Sequence, residues 1–142
     1  MANLVNLYII SGFESPLSYI LGDNTSAPYD FVDEKQIEIL DDKIIINIEG
    51  ASLGRYAPTG SMLPLLDSGS NGIRIVPKSK EDIHIGDIVT FQEGRTLIIH
   101  RVIDIGTDKE GTYFITKGDN NDINDGKIRF KNIKYITIGI IW

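Results

Sequence analysis

The sequence contains no cysteine, which excludes disulfide scaffolds, thiolate metal sites and cysteine nucleophiles and leaves the redox compartment open. It has only two histidines, His84 and His100, so imidazole chemistry has two addresses. Basic side chains are in deficit, 14 against 20 acidic ones, for a net charge of -6. That balance opposes a general grip on phosphate backbones and removes nucleic acid from the expected partners. Long apolar runs are also missing. Leu7-Tyr8-Ile9-Ile10 and the stretch from Tyr135 to Trp142 fall well short of the roughly 18 residues that a membrane-spanning helix requires. No basic stretch leads into an apolar one at the N-terminus, so no secretory leader is expected.

What remains is a chain of 142 residues, 42% hydrophobic and 24% charged, the balance of one soluble globular domain. The acidity is uneven. Residues 1–42 carry one basic residue, Lys35, and eight acidic ones, net -7, which leaves +1 for residues 43–142. The first third also carries turn clusters at Ser11-Gly12, at Gly22 to Ser26 and at Ala27-Pro28. It reads as an acidic, irregular appended segment to which no chemistry can be assigned. From residue 43 the pattern changes to short runs of Ile, Val, Tyr and Thr bounded by Gly, Asn and Asp, which predicts a mainly β domain over 43–142. Strands are expected near 43–49, 73–77, 87–92, 95–104, 111–117 and 132–141. Glu93-Gly94 has the length and chemistry of a hairpin turn between two of them, and Gly106 to Gly111 suggests a second reversal.

Three segments carry candidate chemistry. Thr59-Gly60-Ser61-Met62-Leu63-Pro64 places a hydroxyl on a Gly/Pro-bounded turn, where Ser61 is a candidate nucleophile. The backbone N–H of Ser61 and the hydroxyl of Thr59 are candidate oxyanion donors. His100 closes the apolar run Leu97-Ile98-Ile99 inside a predicted strand, where neighbours can hold an imidazole as a base. His84 lies beside a turn and is expected to be solvated. The segment Thr116 to Gly126 follows a strand and holds three carboxylates, one of which can orient His100. A calcium loop fails on spacing: with Gly126 in the sixth position, the third is Ile123 and the twelfth Asn132.

Four blocks occur in order: Gly60-Ser61-Met62-Leu63-Pro64, Gly86-Asp87-Ile88-Val89, His100-Arg101-Val102, and Thr116-Lys117-Gly118-Asp119-Asn120-Asn121 with Asp125. Together they resemble the type I signal peptidase family. Bacterial members and the related LexA-like self-cleaving peptidases place Lys where this chain has His100. The His-Arg-Val block and the Lys-Gly-Asp-Asn-Asn loop are similar to the archaeal and endoplasmic-reticulum branch. The resemblance implies an antiparallel signal-peptidase-like β fold, with Ser61 as nucleophile, His100 as general base and Asp119 as acidic partner, Asp125 ranking close behind it because spacing does not say which side chain points at the imidazole. An imidazole starts near neutrality and needs orientation, whereas a lysine base must be desolvated by roughly 3 pKa units.

The resemblance further implies an extended signal-peptide substrate added as a strand beside the cleft, with shallow pockets for small side chains. Residues 43–49 and 73–76 are candidate cleft walls. No metal or organic cofactor is required. Membrane association with the active site on the extracytosolic side is implied. The usual membrane anchor has no counterpart in residues 1–50, which leaves an anchored partner subunit, a missing transmembrane helix or a soluble relative. Two other functions remain open, a non-catalytic peptide-binding or assembly module of the same fold and a LexA-like self-cleaving regulator. The acidic first third, which lacks a helix-turn-helix pattern, opposes DNA binding by the latter.

Overall fold

The computed structural model describes residues 25–142. The turn clusters at Ser11-Gly12 and at Gly22 to Asn24 and the apolar run at residues 7–10 lie outside the described residues. The described chain is mainly antiparallel β, as the sequence pattern predicts. Nine strands form in order: β1 Ile37–Ile39, β2 Ile44–Ile46, β3 Ser52–Arg55, β4 Asn71–Ile75, β5 Ile88–Glu93, β6 Thr96–Asp108, β7 Gly111–Lys117, β8 Lys127–Ile128 and β9 Ile133–Ile141. β1 and β2 pair as a separate hairpin, and the rest make one seven-stranded sheet ordered β3-β4-β9-β5-β6-β7-β8. Among the described residues, no helix is long and apolar enough to cross a membrane.

β5 lies at the centre because Ile88, Val89, Thr90 and Phe91 are all buried, which requires cover on both faces of the strand. One face joins Val89 and Phe91 to Val102, Phe114, Ile133 and Ile136. The other packs Ile88 against Met62 and Leu66, which follow the Ser61 turn, so the nucleophile candidate is anchored to the core by its own neighbours.

β6 changes partner along its length. Residues 96–101 pair with β5, and residues 101–108 pair with β7, with a register shift between Val102 and Asp104. The bulge bends the strand where the pairing changes. Among the described residues, no strand pairs with the second edge of Thr96–His100.

The expected reversal at Gly106 to Gly111 is shorter than predicted, because β6 continues to Asp108. Gly106 pairs with Tyr113 in register, and a Cβ at Gly106 would lie 2.4 Å from the Tyr113 ring. The glycine makes room for an aromatic cross-strand neighbour and does not turn the chain. Beyond this end, Asp108 accepts hydrogen bonds from Arg129 and Lys127, which hold its carboxyl well below the usual range. A depressed carboxyl stabilises the fold above its unfolded pKa and loses that contribution as the pH falls through the folded value. Asp108→Asn is therefore expected to lower Tm at pH 7 and to make a vanishing difference in strong acid, by thermal melts across pH.

Residues 25–31 lie against the sheet. The fully buried Asp87 carboxylate accepts the backbone N–H of Tyr29 and that of His84, both at 2.8 Å. Such donors offset the desolvation of a buried charge. Gly86 has φ +100°, and a Cβ there would lie 2.1 Å from the Ala27 carbonyl oxygen. Gly86→Ala thus adds a backbone clash to an unfavourable φ, a destabilisation on the order of 3 kcal/mol. Calorimetry should register a Tm lower by roughly 10 °C.

His84 is solvated in part, as expected beside a turn: its side chain is 39% exposed. Its ring stacks on Tyr29 at 4.1 Å between centroids, and its buried Nδ1 lies 3.4 Å from the Asp87 carboxylate. Tyr29 and Phe31 cover part of the ring, an apposition that a single-strand pattern does not reveal.

Candidate active site

The nucleophile candidate lies between β3 and β4, His100 on β6, and Asp125 in the loop that links β7 to β8. Folding brings the three into one chain of hydrogen bonds. His100 Nε2 is 3.1 Å from Ser61 Oγ, and His100 Nδ1 is 2.7 Å from Asp125 Oδ2. An ionised carboxylate only accepts, so Nδ1 carries the proton and Nε2 is left to accept from the serine hydroxyl. The ring is held: His100 is 6% exposed and meets Phe91 edge-on at 6.3 Å.

The sequence puts Asp119 narrowly ahead of Asp125 as partner of the imidazole, and the geometry reverses that order. Asp119 makes no contact with the imidazole. Its two oxygens accept from Nε and Nη2 of Arg101 at 2.8 and 2.7 Å, a bidentate pair. The reason is strand alternation: Arg101 follows His100 and points to the opposite face, where its buried guanidinium needs an anion. Arg101 also donates to the Gly86 carbonyl at 2.9 Å. Asp122 is exposed.

The loop that carries Asp119 fixes the nucleophile turn. Asn120 donates its backbone N–H to the Ser61 carbonyl at 2.9 Å and its side-chain amide to the Gly60 carbonyl at 3.1 Å. The Arg101–Asp119 pair consequently ties this loop to the strand that bears His100. Neither Arg101 nor Asn120 drew a functional role from the sequence, although both stand in the quoted blocks. A charged residue directly after His in an otherwise apolar strand was the available signal, since a buried cation demands a partner.

Thr59 Oγ1 is 3.2 Å from Ser61 Oγ, and the Ser61 N–H points at it across 3.4 Å. That second contact is long for a hydrogen bond, so the N–H is weakly engaged and the two expected oxyanion donors stand side by side.

Ser61 and His100 line a cavity of about 300 Å³, with Tyr56, Met62, Leu66, Leu97 and Ile99 among its apolar walls. Burial pushes the Tyr56 phenol up from its ordinary pKa. The walls differ from those expected. Residues 44–46 pair with β1 outside the main sheet, and Ile73 to Val76 belong to β4 and the segment after it. The cavity is built from the Tyr56 to Leu66 segment and the first half of β6, because those flank the reacting groups. Among the described residues, no group of three or more His, Asp and Glu side chains is placed to hold a metal ion.

The fold and the site define an antiparallel β protein with a Ser/His/Asp array in an apolar cleft. Comparison with known proteins places it more narrowly: the chain is similar to type I signal peptidases, the family its four blocks resemble. Signal peptidase I W of Bacillus subtilis is 35% identical over 68 residues, 47% of this chain and 36% of that protein. The human signal peptidase complex catalytic subunit SEC11C is 41% identical over 71 residues, again 47% of this chain and 36% of its own length. SEC11 of Lodderomyces elongisporus is 35% identical over 80 residues, covering 55% and 47% respectively. The chain thus spans less than half the length of these curated relatives. No protein-family model and no solved structure matches it.

Proposed function

We propose that this protein is a serine endopeptidase of the signal-peptidase type, with Ser61 as nucleophile, His100 as general base and Asp125 as the group that orients the imidazole. The observation that carries this reading is the continuous Oγ–Nε2, Nδ1–Oδ2 chain at 3.1 and 2.7 Å, set in an apolar cleft.

In the proposed reaction Ser61 Oγ attacks the scissile carbonyl carbon while Nε2 takes the hydroxyl proton. The carbonyl oxygen becomes an oxyanion beside the Ser61 N–H and the Thr59 hydroxyl. The tetrahedral intermediate collapses, the C–N bond breaks, and the imidazolium returns its proton to the leaving amine. Water, deprotonated by the same nitrogen, then cleaves the acyl ester and frees Ser61. The substrate enters as an extended strand along the edge of Thr96–His100 that no described strand pairs with, where main-chain groups supply affinity and the apolar walls select side chains. The preprotein substrate and attachment to a membrane, through a partner subunit or another segment, belong to the same proposal and derive from the likeness to signal peptidases.

The test is incubation with a synthetic signal-peptide sequence carrying alanine at the residues before the scissile bond, followed by mass spectrometry. Cleavage at one bond is expected, with a rate that rises with pH as an imidazole base loses its proton. Tight peptide binding without any turnover would leave a non-catalytic binding module as the function, and scission of the chain itself, absent in Ser61→Ala, would indicate a self-cleaving regulator.

A further inference from the structure

We propose that Thr116 is a positioning residue for this site, its hydroxyl holding Asp125 in the rotamer that meets His100. The inference rests on the serine-peptidase reading for its catalytic consequence, and on geometry alone for the contact.

Thr116 lies in β7, has no solvent exposure, and its Oγ1 is 2.7 Å from Asp125 Oδ2. A carboxylate oxygen only accepts, so the hydroxyl donates. The same oxygen accepts from His100 Nδ1, which makes Oδ2 the meeting point of two donors. Thr116 also accepts the backbone N–H of Asp125 at 2.8 Å. One residue therefore holds both the main chain and the side chain of Asp125.

The need for such a hold follows from where Asp125 lies. It ends a loop that begins after Lys117 and contains the exposed Ile123, and it is not itself in a strand. A free rotation about its side-chain bonds would carry Oδ2 away from the ring. Thr116, by contrast, is paired in register with Val102, two residues beyond His100 on β6. Its β-branched side chain is stiff at χ1. The sheet register thus sets the distance between a rigid hydroxyl and a rigid imidazole, and the carboxylate is fixed between them.

A purely structural account is that a buried hydroxyl needs an acceptor and finds one. The two accounts differ in what the hydroxyl does to His100. The charged group hydrogen-bonded to the ring is Asp125; Arg101 on β6 is paired with Asp119, Phe91 from β5 is uncharged, and Ser61 faces the other nitrogen. Loosening Asp125 therefore removes the acceptor that holds the ring and keeps the proton on Nδ1.

The experiment compares Thr116→Val, which removes the hydroxyl at nearly constant shape, with Thr116→Ser, which keeps it. The first readout is proton NMR of the substrate-free protein, in which the His100 Nδ1–H signal is assigned by its loss in Asp125→Asn; with only two histidines the assignment is simple. The second is the split between kcat and KM on the cleaved peptide. Thr116→Val is expected to lose or broaden the Nδ1–H signal and to lower kcat roughly 10- to 100-fold at unchanged KM. Thr116→Ser is expected to restore the signal and most of the rate.

An unchanged Nδ1–H signal in Thr116→Val, or equal losses in both variants, would overturn the proposal. If Thr116→Val does not fold, Thr116→Ala against Thr116→Ser makes the same comparison. If the intact protein cleaves no peptide yet Thr116→Val loses the signal, the hold on Asp125 stands and the peptidase reading fails.

Discussion

Ser61→Ala is expected to lower peptide cleavage on the order of 10⁶-fold while leaving peptide affinity intact. The size follows from the geometry. Without Oγ, the imidazole has no hydroxyl to deprotonate, and the residual rate is what the oxyanion donors and binding alone can support. The hydrogen bonds lost, to His100 Nε2 and Thr59 Oγ1, lie at the cavity and can be replaced by water, so Tm should move little. The double variant Ser61→Ala/His100→Ala should be no slower than either single one, because the two act as a unit. His100→Lys should be nearly as damaging. An ammonium beside Asp125 stays protonated and so cannot serve as base. A fully active Ser61→Ala protein, measured by the same peptide assay, would remove Ser61 from the mechanism.

The strands that the sequence foretold are those whose cause is local. β2, β4, β5, β6, β7 and β9 all fall on expected runs rich in Ile, Val, Thr and Tyr near Gly, Asn and Asp, and their pattern survives without knowledge of partners. β3 was missed because Gly54 and Arg55 break its alternation; the strand exists through pairing with β4, which lies sixteen residues further on. β8 is two residues long and is defined by its neighbour β7. Site residues followed the same division. Ser61 and His100 announce themselves by residue type and local setting. Asp125 differs from Asp119 only in which face of β6 each carboxylate meets, and that is a property of the register between β6, β7 and the loop after it. The cleft walls were beyond reach for a related reason: Tyr56 and Met62 face Ile99 only after the segment following β3 folds back over β6.

The two carboxylates make the second large prediction, a crossed pair of effects. Asp125→Asn is expected to lower kcat about 10⁴-fold, since an amide N–H facing Nδ1 favours the tautomer with the proton on Nε2, where it blocks proton transfer from Ser61. Its loop keeps its backbone contact to Thr116, so stability should change little. Asp119→Asn acts the other way. It leaves the buried Arg101 side chain with a neutral partner in place of an anion. Breaking a buried pair costs roughly 3–5 kcal/mol, and an amide oxygen that still accepts one bond recovers part of that. A clear fall in Tm is expected, with kcat down about tenfold at most through slackening of the Asn120 contacts to the Ser61 turn. Measuring kcat and Tm for both variants decides the assignment. If Asp119→Asn proved the catalytic lesion and Asp125→Asn the structural one, the imidazole would have to take its partner from the other face of β6, and the array described here would not be the working one.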